Sequence, residues 1–79
     1  MRESLEAAAG AVAEELDGIT DPEERFRDAR EMEARLDVIL KGIRQRIALQ
    51  LKEQMTWREV GEAMGGVSAQ RAEQISRGT

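Results

Sequence analysis

The sequence contains neither cysteine nor histidine. The lack of cysteine excludes a disulfide scaffold, a thiolate metal site and a cysteine nucleophile, and the lack of histidine removes the commonest general base and zinc ligand. Neighbouring carboxylates, such as Glu14 with Glu15 and Glu23 with Glu24, point apart on a helix. No glycine-rich loop that would hold a phosphate is present. We therefore predict that the protein is not an enzyme and has no catalytic residues, no metal and no cofactor.

Long apolar runs are also lacking. No stretch approaches the roughly 20 residues that a membrane-spanning helix needs. The first residues, MRESLEAAAGAVAEEL, are too acidic and too often interrupted by polar side chains for a secretion signal. We therefore expect a soluble, cytoplasmic protein with no membrane partner. A chain of 79 residues allows one small domain at most, whose core rarely supplies more than about 3–5 kcal/mol.

Residues that favour strands are scarce and never alternate with polar residues over a useful length, whereas Ala, Glu, Arg, Leu and Gln are abundant. This composition predicts an all-α fold. We expect a helical hairpin with a long central helix, followed by a C-terminal helix-turn-helix, within one compact domain. The predicted helices are 4–17, 22–54, 57–64 and 69–76. Residues 1–54 form the N-terminal helices in this scheme, and residues 55–79 form the helix-turn-helix.

The first predicted helix follows Ser4, a good N-cap, and ends before Gly18, a good terminator. Five apolar residues share one stripe at helical spacing, namely Leu5, Ala9, Val12, Leu16 and Ile19. A stripe of this kind predicts burial in a core.

The segment ITDPEE predicts the start of the second helix. Asp21 suits the N-cap and Pro22 the first helical position, where its missing N–H costs nothing. Glu24 would close a capping box onto Asp21. Thr20 with Glu23 is an alternative box one residue earlier.

The second predicted helix is unusually long, because no strong breaker separates Pro22 from Gln54. Gly42 is the one plausible kink or break. Such length indicates helix pairing between chains, and the apolar face is wider than one intramolecular contact needs. We therefore predict a homodimer, the alternative being that the other helices cover the whole face. The predicted dimerisation residues are Leu36, Ile39, Leu40, Ile43 and Ile47.

The stretch TWREVGEAMGGVSAQRAEQI, residues 56–75, carries signals for two short helices. Thr56 and Glu59 form a capping box at the start of the first helix. Gly65 and Gly66 end it, because glycine readily takes the left-handed conformation that closes a last turn. Ser68 caps the second helix.

The apolar residues of this stretch predict a shared inner face. Gly61 allows the second helix to approach closely. The inward residues are Met55, Trp57, Val60, Met64, Val67, Ala72 and Ile75. The outer face of the second helix carries Ala69, Gln70, Arg71, Glu73, Gln74 and Arg77.

Charge is unevenly spread along the chain. Residues 1–40 hold five arginines against twelve acidic residues, a net charge of −7, and residues 41–79 hold seven basic against four acidic residues, a net charge of +3. An acidic half beside a basic half indicates nucleic-acid binding by the basic part.

This stretch resembles the helix-turn-helix of region four in bacterial sigma factors, and it is more similar still to small sigma-region-four-like regulators of actinobacteria. The resemblance covers about 20 of the 79 residues, with a looser likeness of the preceding helix. The matching residues are Thr56, Glu59, Val60, Gly61, Gly65, Val67, Ser68, Arg71, Gln74 and Ile75.

The resemblance implies that the residues at Ala69, Gln70, Arg71 and Gln74 face DNA. Arg71 and Gln74 match the family, whereas Ala69 replaces what is often a basic residue and Gln70 what is often an acidic one. These departures imply a recognition site other than the usual promoter element. Gly66 is an extra residue in the turn. The family's basic extension has no counterpart in the sequence, so we expect a lone module to bind weakly.

We therefore predict a sequence-specific transcriptional regulator that binds double-stranded DNA as a homodimer. Gln70, Arg71 and Gln74 would contact bases, because Arg pairs with guanine and Gln with adenine in the major groove. The predicted phosphate contacts are Thr56, Arg58, Ser68 and Arg77. One alternative is a protein-interaction module that binds RNA polymerase, a sigma factor or another regulator, including one from a phage or plasmid. A second alternative is that Arg71, Gln74 and Arg77 merely solvate a helix face.

Overall fold

The computed structural model describes residues 1–78 and contains four α-helices and no strand in that range. The helices are α1 (Glu3–Asp17), α2 (Pro22–Lys52), α3 (Trp57–Ala63) and α4 (Ala69–Ser76). The predicted all-α class is confirmed. The chain forms two compact units, Met1–Arg35 and a second that begins at Leu36, and the boundary between them lies inside α2. Within residues 1–78, no helix combines the length and the apolar character that crossing a bilayer requires.

The start of α1 differs from the prediction. The N-cap is Arg2, whose side chain makes no capping hydrogen bond, and Ser4 lies inside the first turn. The prediction of Ser4 as N-cap is therefore wrong. Gly18 does follow the last helical residue, but its φ of −73° is right-handed. The end of α1 therefore makes no use of the conformational freedom of glycine.

The apolar stripe of α1 is less covered than predicted. None of the residues of α1 is buried, Leu5 is 57% exposed and Ala9 is exposed. Only the later part of the stripe is half-buried. Leu16 and Ile19 line a shallow depression together with Met32 of α2. The prediction of burial is therefore wrong for the first half of the stripe and met only in part for the second.

Asp21 begins α2. Its Oδ2 accepts a hydrogen bond from the N–H of Glu24 at 3.3 Å, and its carbonyl accepts one from the N–H of Arg25 at 2.9 Å. The Nε of Arg25 donates to the carbonyl of Ile19 at 2.9 Å, which fixes the preceding connection. The helix then continues through Gly42 to Lys52 without a break. The prediction of Asp21 as the N-cap is confirmed, and the bond from the N–H of Glu24 is one half of the predicted capping box.

The core of the second unit is small. Ala48 of α2, Val60 of α3 and Ala72 of α4 are completely buried, and Val60 is the largest of them. Six half-buried residues pack against this cluster, namely Leu51, Met55, Trp57, Met64, Val67 and Ile75. Every residue that the sequence placed on the inner face of 55–75 is therefore in or against the core. Ser76 is also buried, which the sequence analysis did not predict.

Much of the apolar surface of α2 stays exposed. Seven large apolar side chains between residues 36 and 49 are exposed, namely Leu36, Val38, Ile39, Leu40, Ile43, Ile47 and Leu49. Within the second unit, α3 and α4 therefore leave this face of α2 uncovered.

Candidate nucleic-acid interface

The start of α3 is held by a reciprocal capping box. The Oγ1 of Thr56 accepts a hydrogen bond from the N–H of Glu59 at 3.3 Å, and Oε1 of Glu59 accepts from the N–H of Thr56 at 3.1 Å and from its hydroxyl at 3.0 Å. The hydrogen bonds from the backbone and then the side chain of Thr56 hold the pKa of Glu59 below its ordinary value, because they stabilise the carboxylate. The predicted capping box is confirmed.

This box affects the role predicted for Thr56. Its hydroxyl donates to Glu59 and accepts from the backbone, so a phosphate contact through this hydroxyl would compete with the bond to Glu59. Arg58 is exposed at the second position of α3. Its charge is therefore accessible to a partner at the helix start.

The packing of α4 against α3 requires glycine at three positions, one inside α3 and two in the connection between the helices. Gly65 and Gly66 have φ values of 93° and 87°, a region that other residues rarely adopt. The carbonyl of Gly61 accepts hydrogen bonds from the N–H groups of Gly66 and Val67, both at 3.0 Å. A Cβ at Gly61 would overlap the carbonyl oxygen of Val67 and lie 3.2 Å from that of Ser68. The absence of a side chain at Gly61 thus lets the start of α4 lie directly against α3.

The first turn of α4 presents its side chains outward. The Oγ of Ser68 accepts a hydrogen bond from the N–H of Arg71 at 3.1 Å, and its own hydroxyl proton is not used in that bond. Ala69, Gln70 and Arg71 are exposed. The predicted cap is therefore confirmed, and three of the four residues that the resemblance implies face DNA lie on one accessible turn.

The second turn of α4 is less accessible. Gln74 is half-buried. The NH2 of Arg77 lies 3.6 Å from Oε1 of Glu73 in a largely exposed ion pair one helical turn apart. Such pairs contribute little to stability, so Arg77 could exchange this partner for a phosphate.

The positive charge of the second unit lies mostly on α2. Residues 56–78 hold three arginines and three glutamates, which gives no net charge. Lys41 and Arg44 lie seven and four residues before Ala48, and Lys52 lies four residues after it, so all three are within about 40° of Ala48 around the helix. They therefore flank the side of α2 that packs against α3 and α4. The ammonium of Lys52 lies 5.6 Å from the centre of the Trp57 ring.

The predicted DNA contacts do not include these basic residues. The signal that could have found them is the helical spacing of 41, 44, 48 and 52, which places three cations beside one small apolar residue. Periodicity alone could not show that this particular face of α2 meets the two short helices.

No protein-family model, curated protein or solved structure matches this chain. The part of the chain covered by residues 1–78 also contains no cluster of three or more side chains suited to hold a metal ion. The predicted resemblance to sigma factor region four therefore stays a prediction, and it depends on the residues between Thr56 and Ile75 alone.

Proposed function

We propose that this protein is a sequence-specific regulator that binds double-stranded DNA through a helix-turn-helix formed by α3, the glycine turn and α4, preceded by a helical hairpin of α1 and α2. The observation that carries the proposal is the close approach at Gly61, which fixes α4 against α3 while its first turn stays exposed. In a helix-turn-helix, the N-terminal residues of the second helix meet base edges in the major groove.

The exposed residues of this turn have the chemistry for reading bases. Arg71 can donate two hydrogen bonds to O6 and N7 of a guanine, and Gln70 can pair with the N6 and N7 groups of an adenine. Ala69 can contact the methyl group of a thymine. Gln74 lies one turn further along α4 and would contact the next base, provided that its half-buried amide reaches the groove.

Phosphate contacts would orient the reading helix. Arg58 stands at the start of α3, and Ser68 together with the first N–H groups of α4 suits a phosphate oxygen. Arg77 and Thr56 complete the predicted set. Because α3 and α4 together carry no net charge, Lys41 and the other cations of α2 would supply the long-range attraction.

The test begins with selection of bound sequences from a random library of DNA duplexes. Binding of the selected duplex is then measured by fluorescence anisotropy over a series of salt concentrations. Arg71→Ala should lose about 1–3 kcal/mol and relax the preference at one base pair. Arg58→Ala should weaken all sequences about equally and lower the salt slope by about one. Circular dichroism should show unchanged helix content in both variants.

If Arg71→Ala keeps both the affinity and the sequence preference of the wild type, the proposed reading role is refuted. The second candidate, a module that binds RNA polymerase, a sigma factor or another regulator, would then take its place. The net charge of −7 over residues 1–40 favours that alternative, since an acidic surface suits a basic protein partner.

A further inference from the structure

The second unit combines a very small core with a large exposed apolar stripe. Two of its three completely buried side chains are alanines. The stripe consists of Leu36, Leu40, Ile43 and Ile47, each between 36% and 48% exposed. These four residues lie within about 60° of one another around α2, so one flat contact could cover them all. A domain of this size commonly gains stability by association.

The spacing of the stripe is the same in both directions. The intervals between its residues are four, three and four, the a/d spacing of a coiled coil. The sequence read backwards therefore gives the same pattern, centred between Lys41 and Gly42. We propose that a second copy of this chain packs against the stripe with its α2 antiparallel. Leu36 then meets Ile47 of the second copy, and Leu40 meets Ile43.

Charge decides between the antiparallel and the parallel arrangement. Asp37 and Arg44 are exposed and lie on the same flank of the stripe. In the antiparallel pair, Asp37 of each copy faces Arg44 of the other, which gives two ion pairs. In a parallel pair, the flanking position opposite Arg44 is Ile39 and the one opposite Asp37 is Met32, so neither ion pair forms. The antiparallel arrangement is thus the one with complementary charge.

The contact leaves α3 and α4 open, and of the three cations beside Ala48 it engages only Arg44. The centre of the stripe lies on the order of 110° around α2 from Ala48, which faces α3 and α4. A two-fold axis would relate the two α4 helices, and a two-fold symmetric DNA site would match them. Only this last consequence rests on the proposed function, because the pairing itself needs no DNA.

The experiment measures association without DNA by sedimentation equilibrium from low to high micromolar concentration. Wild type should be a dimer, and Ile43→Glu should be monomeric. Asp37→Arg and Arg44→Asp should each raise the dimer Kd by about tenfold, because two attractive contacts become repulsive. An equimolar mixture of these two variants should associate within about threefold of the wild type, since every flanking contact in the mixed dimer is attractive again.

Val38→Arg is the matched control. Val38 is 71% exposed and lies on nearly the opposite side of α2 from the stripe. The dimer Kd of the Val38→Arg variant should therefore equal that of the wild type. The double variant that carries both Asp37→Arg and Arg44→Asp should dimerise as the wild type does. That result would exclude a folding defect as the cause of the weaker association of the two single variants. A monomeric wild type, a larger oligomer, or a mixture as weak as its components would each overturn the proposal. Failure to bind DNA would leave the sedimentation results standing, so the two proposals fail separately.

Discussion

Substitution of Gly61 by alanine tests how closely α3 and α4 approach. The added methyl group would meet the carbonyl oxygen of Val67 well inside 3.0 Å, a separation that Cβ atoms essentially never show. It would also lie 3.2 Å from the carbonyl oxygen of Ser68. These atoms belong to the backbone, so no side-chain rotation can relieve the overlap. The start of α4 must move away from α3.

The magnitude follows from two opposing effects. Alanine in a helix interior is favoured over glycine by about 1 kcal/mol. Overpacking costs about 1–3 kcal/mol, and an overlap with backbone belongs at the upper end of that range. The net loss should be about 2 kcal/mol, which lowers the Tm of a domain of this size by about 8–16 °C.

Gly42→Ala is the matched control in the same unit. Its nearest neighbour would be the NH1 of Arg46 at 3.9 Å, an ordinary contact. This variant should gain about 1 kcal/mol from helix propensity alone. Thermal unfolding is followed by fluorescence of Trp57, the single tryptophan, which packs against the core of this unit. Both variants are compared at one protein concentration, because association shifts the Tm. A Gly61→Ala protein as stable as Gly42→Ala would refute the close approach.

Three further predictions concern the local features that hold α3 and α4. Gly66→Ala should cost about 1–2 kcal/mol through its positive φ alone, because no atom crowds a Cβ there; urea unfolding measures this loss. Ser68→Ala should cost about 1 kcal/mol by removing the cap on the N–H of Arg71, and it should weaken DNA binding in the anisotropy assay as well. The lowered pKa of Glu59 contributes stability that is present above its unfolded pKa and lost as pH falls through the folded pKa. Unfolding of Glu59→Gln should therefore depend less on pH in the acid range than that of the control Glu62→Gln, and equal pH dependence would contradict the capping role.

The sequence alone determined where α2, α3 and α4 begin. The signals at these points act over three or four residues: the carboxylate of Asp21, the reciprocal pair of Thr56 and Glu59, and the hydroxyl of Ser68. Each satisfies a backbone N–H that no other part of the chain needs to supply. Ser4 failed as a cap because the N-cap of α1 lies two residues earlier, at Arg2, whose side chain makes no capping hydrogen bond. Helix starts without a strong local signal are therefore less well determined.

The tertiary structure decided what each helical face meets. Helical spacing showed that Leu5 and Val12 share a stripe, and likewise Leu36 and Ile43, but both stripes remain at least partly exposed. The same kind of spacing placed Ala72 and Ile75 against a core. Periodicity depends only on the helix itself, whereas burial depends on where distant residues lie. The burial of Ser76 and the close approach at Gly61 therefore became visible only when α2, α3 and α4 were placed together.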